Sequence, residues 1–177
     1  MRLRVIAGEF RSRLLKSVPG LETRPTPDRL REALFNVLAP VIEDSIFVDA
    51  YAGTGAVGIE ALSRGAKRAI FVERNRGAVE VIRDNLATLG IADRAEVFTG
   101  KAAPVLERVN ANIVFLDPPY ALVKEYEESM EILGECSTGL VIVQHAHRQP
   151  PDDEYGSLRR TRILRHGDNE LSFYSKR

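Results

Sequence analysis

Asp117, Pro118, Pro119 and Tyr120 are four consecutive residues that together could do chemistry. They close an apolar run, residues 112–116, that is short and β-branched enough to be a buried parallel strand. Two prolines cannot donate ladder hydrogen bonds, and they stiffen the backbone where it leaves a sheet. An acid, a rigid turn presenting carbonyls and an aromatic ring are therefore expected at the carboxyl end of a strand, the edge at which open α/β sheets bind ligands. One task suits this set. An exocyclic amine on a nucleobase is a poor nucleophile, because its lone pair is delocalised into the ring. A carboxylate and a backbone carbonyl accepting its two N–H bonds would orient it and favour charge on nitrogen during attack. The aromatic ring would give an extracted base a stacking surface, worth about 1–3 kcal/mol. Taken alone, the tetrapeptide reads equally well as a strand end, a Pro-Pro turn and a core tyrosine.

A second constellation lies upstream. Asp49 ends another apolar run and is followed by Ala50, Tyr51, Ala52, Gly53, Thr54, Gly55, Ala56, Val57 and Gly58. Gly53, Gly55 and Gly58 satisfy G-x-G-x-x-G between an expected strand and an expected helix, the context that motif requires. Glu73 follows Gly53 by twenty residues, at the end of the next strand, where an acid grips ribose hydroxyls. The pattern points to an adenosine-containing cofactor. A dinucleotide site sets its glycine turn hard against the strand and keeps the helix N-terminus free for pyrophosphate. An acid at the strand end, four residues before the first glycine, favours S-adenosylmethionine instead.

The elements that must position these residues alternate. Strands are expected at 45–50, 68–73, 94–99, 112–117 and 139–144, with helices at 56–64, 76–89, 101–109 and 123–133. Such alternation predicts an α/β fold: a mostly parallel Rossmann-like sheet with helices on both faces. Thr26, Pro27 and Asp28 read as a hydroxyl cap, a first-turn proline and an early acid opening a further helix, with Leu30, Ala33, Leu34, Val37 and Leu38 as its apolar stripe. Residues 158–164 and 169–175 alternate in character around His166, Gly167 and Asp168, and predict an antiparallel hairpin at the sheet edge; 149–155 reads as a loop. Residues 2–7 and 13–18 predict a small N-terminal β-hairpin with arginines outward. A hairpin alone is marginal in water, so it must lean on the domain.

The 177 residues are most simply one domain, 44% hydrophobic. One cysteine excludes an internal disulfide framework and suggests a reducing compartment. No apolar run reaches membrane-spanning length, and the first residues lack a signal-peptide core. A cytoplasmic protein is expected. Net charge is zero but uneven. Residues 1–31 carry eight Arg/Lys against three acids and 157–177 carry six against two, while 32–156 carry eleven against twenty. Basic ends on an acidic centre hint at a polyanionic partner. His145 and His147 have no evident third ligand and read as satisfied or solvent-facing rather than metal-binding. Cys136 reads as a small buried residue. Glu125, Glu127, Glu128 and Glu131 read as a solvated helix face.

The chain resembles the RsmD family, bacterial 16S ribosomal RNA guanine-N2 methyltransferases of the class I (Rossmann-like) fold, over nearly its whole length. The markers are residues 4–8 (RVIAG), 24–36 (RPTPDRLREALFN), 49–55 (DAYAGTG), 58–66 (GIEALSRGA), 71–73 (FVE) and 117–120 (DPPY). The 24–36 segment, in this order with the others, is the specific one. The resemblance implies that Asp49, Gly53 and Gly55 hold the methionine end of S-adenosylmethionine, with Ala50, Ala52, Thr54, Arg74 and Asp117 around it. It implies Glu73 on the ribose, Gly100 and Lys101 along the adenine, and Arg24 and Thr26 on a segment folded over the pocket. Arg2, Arg4, Arg11, Arg13 and Arg29 would meet RNA, the first four on an N-terminal hairpin extension (residues 1–20) of a single methyltransferase domain. The implied partner is 16S rRNA in the 30S subunit or its assembly intermediate, met by a monomer that needs no metal or membrane. Two residues depart from the pattern. Lys101 stands where many methyltransferases place an acid for the adenine amine, and Ala50 where a larger apolar residue is usual.

The expected reaction lays the extracted guanine on Tyr120, holds its N2 amine on Asp117 and the Pro118 carbonyl, and aligns it for in-line methyl transfer. Three other readings are weighed. A DNA adenine-N6 methyltransferase shares the tetrapeptide but usually needs a larger recognition region. An NAD(P)-dependent oxidoreductase leaves the Pro-Pro-Tyr turn unexplained. A non-catalytic RNA-binding module would not need the glycines and Asp117 together.

Overall fold

The computed structural model describes residues 2–19, 26–136 and 139–177, without the side chains of Tyr120 and Val123. Strand β1, Ile46–Asp49, is central; it pairs in parallel with β2 (Arg68–Glu73) on one side and with β4 (Ile113–Leu116) on the other. Outside these lie β3 (Ala95–Thr99) beside β2 and β5 (Leu140–Ala146) beside β4, both parallel. The parallel order is thus 3-2-1-4-5. Connections leave β1 in one direction and β4 in the other, so their carboxyl ends splay and open a crevice between them. The five strands are those expected, each within two residues of its predicted ends.

Helices α1 (Asp28–Leu38), α2 (Ala56–Ser63) and α3 (Arg76–Leu89) cover one face. Their apolar stripes meet Phe47, Phe71, Phe115 and Ile142 in one continuous core. Leu30, Leu34 and Leu38 of α1 are fully buried, at the helical spacing read from the sequence. Helices α4 (Ala103–Leu106) and α5 (Val123–Glu135) cover the other face through Val105, Leu106, Met130 and Leu133. Helix α4 is one turn rather than the expected 101–109.

The carboxyl tail completes the sheet antiparallel. Strand β8 (Asn169–Lys176) adds to β5, β7 (Leu158–His166) adds to β8, and a short β6 (Glu154–Tyr155) forms the edge. The expected loop at 149–155 therefore ends in a strand. Its polar, proline-rich composition hides the pairing of Glu154 with Arg159, which only the β7 register supplies.

The N-terminal hairpin is reduced to a single antiparallel bridge, Arg4 to Leu14, flanked by backbone bonds between Val5 and Arg13 and between Leu3 and Leu15. It leans on the domain through polar groups as well as apolar ones. The buried Glu60 carboxylate accepts N–H bonds from Ile6 at 2.9 Å and Ala7 at 3.0 Å, and Arg31 donates to the Arg4 carbonyl at 2.6 Å. Spending the ladder groups on α1 and α2 is the physical reason that the strands stay short. Arg31, one of the basic residues of the N-terminal third, is wholly buried and cannot meet a partner; burial holds its guanidinium below the usual range, offset by Glu60 and Asp28.

Candidate active site

The cleft at the carboxyl edge of β1, β2 and β4 encloses about 1100 Å³. On the β1–β2 side, Asp49 ends β1 with 1% of its surface exposed. Its Oδ2 accepts the Gly58 N–H at 3.0 Å, inside the first turn of α2. Gly58 must be glycine for packing: a Cβ there would lie 2.3 Å from the Phe71 ring. Gly53 turns at φ 56° with open space where a Cβ would sit, so its backbone can be approached from the cleft. Glu73 locks that turn from the neighbouring strand, accepting the Gly53 N–H at 2.8 Å on one oxygen and the Asn75 N–H at 2.9 Å on the other. An ionised carboxylate has about four lone-pair sites, so both oxygens keep capacity for a ligand hydroxyl.

On the β4–β5 side, Asp117 follows β4 near Gln144 of β5, because Leu116 and Val143 are register partners. Thr26, expected to cap α1, makes no cap; its hydroxyl donates to Gln144 Oε1 at 3.2 Å and lies close enough to Asp117 to lower that carboxyl's proton affinity. Pro27 stands at the cap position instead, and a side chain committed across the cleft cannot turn back onto its own helix. The Pro119 carbonyl accepts the Leu122 N–H at 2.9 Å in a 3₁₀ turn spanning Tyr120–Leu122, so Pro118 is the carbonyl this turn leaves free.

The floor of the site is acidic and largely buried. Burial pushes Asp49 up to about 7, despite the Gly58 N–H, with Asp117 and Glu73 adding repulsion. Burial likewise pushes Asp117 up to about 7 against the Thr26 hydroxyl. Asp117 keeps a strip of surface on the cleft while the walls exclude water from the rest of it. Among the described residues, the cations at the rim do not neutralise this floor. Lys101 is exposed, and Arg74 bonds Glu125 at 2.8 Å across the mouth.

Thr26, Asp49, Ala50, Ala52, Gly53, Thr54, Glu73, Arg74, Gly100, Lys101, Asp117, Pro118 and Pro119 all line the cleft. Gly55 does not. It caps α2 from behind the turn, where an added Cβ would lie 3.2 Å from Ile82. Arg24 and the Tyr120 side chain lie outside the described residues. Glu125 is half-buried at the mouth rather than on a solvated face, because Arg74 draws it in. Cys136 is half-buried, its thiol 3.9 Å from the Leu106 carbonyl. His145 and His147 are engaged by Ser172 and Glu170. Sequence reasoning missed Gln144, Tyr51 and Tyr126 as cleft residues. Gln144 ends an unremarkable expected strand and Tyr126 sits at ordinary core spacing on α5, so only strand order could have found them; Tyr51 stands inside the glycine turn, and its position there was the available signal.

The five expected RNA contacts are all exposed but not together. Arg4 lies beside Asp28 at the cleft end of α1, near Arg29. Arg13 reaches the Thr88 carbonyl, near the far end of α3. At 1.5 Å rise per residue that is about 18 Å below the cleft rim. The hairpin tip, residues 8–12, sits on Ser63 and points away from the cleft.

A 3-2-1-4-5 parallel sheet with an antiparallel tail, a glycine turn after β1 and acids ending β1, β2 and β4 defines the class I methyltransferase fold. The chain belongs to the family described as Conserved hypothetical protein 95, which matches residues 3–175. It is 46% identical over 123 residues to ribosomal RNA small subunit methyltransferase D of Escherichia coli (strain K12), covering 67% of this chain and 61% of that protein. Bacillus subtilis YlbH, assigned as an rRNA methyltransferase, is 33% identical over 99% of this chain and all of its own length. The solved structure of the Escherichia coli protein yhhF, assigned as a methyltransferase, superposes with a TM-score of 0.85 at 34% identity, over 99% of this chain and 98% of that one. These likenesses bear out the resemblance to the RsmD family and the fold expected from it.

Proposed function

We propose that this protein transfers the methyl group of S-adenosylmethionine to the N2 amine of a guanine in 16S rRNA, within the small ribosomal subunit or an assembly intermediate. The observation that carries the cofactor is the bond from Gly58 N–H to Asp49. It fills the α2 N-terminus with a carboxylate, which would repel the pyrophosphate of a dinucleotide. Asp49, Glu73 and Asp117 together suit a cation, and the sulfonium supplies an already activated methyl group. Asp49 and the open backbone at Gly53 would bind the methionine end, Glu73 the ribose hydroxyls, and Gly100 with Lys101 the adenine edge. The acceptor amine would donate to Asp117 and to the Pro118 carbonyl, which aim its lone pair across the cleft and exclude water. With its proton affinity raised to about 7, Asp117 in its ionised form is placed to receive the proton that nitrogen loses. The rRNA substrate is supported by the curated relatives named for it.

Methyl transfer from labelled S-adenosylmethionine to small subunits lacking the modification, alongside free 16S RNA and adenine-rich duplex DNA, tests this reading. Label on the subunit at one guanine N2 is expected. Label on DNA adenine would move the protein to the rival enzyme class.

A further inference from the structure

Gln144 is a polar cleft residue that the reaction just described does not use. Resting on the guanine reading, we infer that Gln144 is the specificity residue of the acceptor site, its amide oxygen accepting the N1–H of the target guanine beside the N2 amine held by Asp117.

The register sets the geometry. Leu116 pairs with Val143, so Asp117, the residue that follows β4, and Gln144 of β5 each come one residue after a register pair whose strands lie about 4.8 Å apart. Phe115 and Ile142, two residues earlier on each strand, pack into the same core face. By the alternation of strand side chains, Asp117 and Gln144 also point to one common side. There Thr26 bonds Gln144 and lies close enough to Asp117 to lower its proton affinity, and all three line the cleft.

Counting protons then decides what the amide offers. The Thr26 hydroxyl has one hydrogen and two neighbours that would accept it, the Asp117 carboxyl and Gln144 Oε1. In the resting arrangement the amide takes it. Once Asp117 ionises, the carboxylate is the stronger acceptor, because charge-assisted bonds are roughly twice as strong as neutral ones. The amide then turns over, gives an N–H to the Thr26 oxygen, and leaves its own oxygen facing the cleft. The acceptor site becomes a side-by-side pair of acceptors, a carboxylate and an amide oxygen.

Among the four standard bases, only guanine matches that pair. Its amine adjoins a ring N–H. The amines of adenine and cytosine adjoin bare ring nitrogens, which would meet the amide oxygen lone pair to lone pair. A site built to receive an N–H discriminates strongly against an analogue that lacks it. The same device excludes an adenine acceptor, which the aspartate and prolines alone would accept.

The test uses the full chain and small subunits reconstituted with 16S RNA carrying either guanine or 2-aminopurine at the methylated nucleotide. 2-Aminopurine keeps the acceptor amine and lacks the N1–H. Q144M removes both amide groups at similar volume, whereas Q144E keeps an acceptor oxygen; cofactor affinity of each variant establishes that it is folded. For Q144M, kcat/KM on guanine is expected to fall about tenfold, the loss of one hydrogen bond made in the transition state. Its value on 2-aminopurine is expected to stay within about threefold, so that the preference collapses; Q144E is expected to keep the preference. Equal losses on both bases, an unchanged guanine rate, or collapse of Q144E alongside Q144M would overturn the assignment. If transfer to 2-aminopurine is too slow to time, the contrast between Q144M and Q144E on guanine alone decides by the same criterion. Failure of the wild-type chain to methylate the guanine-bearing subunit would overturn the functional reading itself, and this inference with it.

Discussion

Asp117 meets two demands that pull its proton affinity in opposite directions. Burial raises it to about 7, which suits a group that must collect a proton near neutrality. A cationic cofactor alongside would lower it, favouring the ionised form that orients the amine. Replacing Asp117 by Ala is expected to lower kcat by at least about a hundredfold while leaving cofactor affinity within about fivefold; calorimetry and single-turnover transfer separate the two. Asp49 and Asp117 also link stability to pH. Both fold with values of about 7 against 3.8 for the free side chain. From about pH 4 to 7 the folded protein keeps protons that the unfolded chain has released, so stability of the cofactor-free protein falls as pH rises through that window. On the proposed reading, the sulfonium cofactor would bind best to the ionised floor. Its thermal stabilisation is therefore expected to be larger at pH 8 than at pH 5.5, and an equal shift at both would refute a cation-binding role for Asp49.

At the scale of elements, α2 joins two functions. Its first turn carries the Asp49 bond and its last turn seats the N-terminal segment through Glu60 and Ser63. Packing of this closeness leaves no room for a methyl group. Gly58→Ala would drive a Cβ into the Phe71 ring at 2.3 Å; it is expected to cost about 1–3 kcal/mol in denaturant unfolding and to weaken cofactor binding with it. Gly8→Ala would set a Cβ 2.0 Å from the Ser63 carbonyl, at a φ of 88°. Its expected effect is local: faster amide exchange over residues 4–15 with the sheet unchanged. Nothing in the glycine pattern distinguishes these two packing glycines from Gly53, whose side is open. The motif G-x-G-x-x-G is legible in the chain, but which glycine faces ligand and which faces Phe71 or Ile82 depends on neighbours far away in sequence.

For the whole molecule, four of the five arginines expected to meet RNA form two groups separated by most of the length of α3. Arg4 and Arg29 lie by the cleft, Arg11 and Arg13 toward the opposite edge of the sheet. An RNA that touches both must run down the α1–α3 face. Neutralising Arg4 and Arg29 is expected to weaken subunit binding and to reduce the salt slope by about one for each phosphate that the variant no longer neutralises. Neutralising Arg11 and Arg13 is expected to reduce it similarly only if the footprint extends that far. Salt titrations of the two double variants measure its length, and a slope unchanged in both would exclude the hairpin arginines from the interface.

The sequence by itself determined the alternation of strands and helices, the glycine turn with Asp49 and Glu73, and the Asp-Pro-Pro-Tyr strand end. Each is written in local pattern: β-branched runs, helical spacing, and residues that bend or stiffen the backbone within a few positions. Only the tertiary structure decided that Thr26 crosses to Gln144 instead of capping α1, that Glu60 and Arg31 bind the N-terminal segment from the core, and that Gln144 stands level with Asp117. Those facts depend on strand order and register, which bring together residues as far apart in the chain as Thr26 and Gln144. No local pattern encodes such a pairing; it follows from which strand lies beside which when the sheet closes its core.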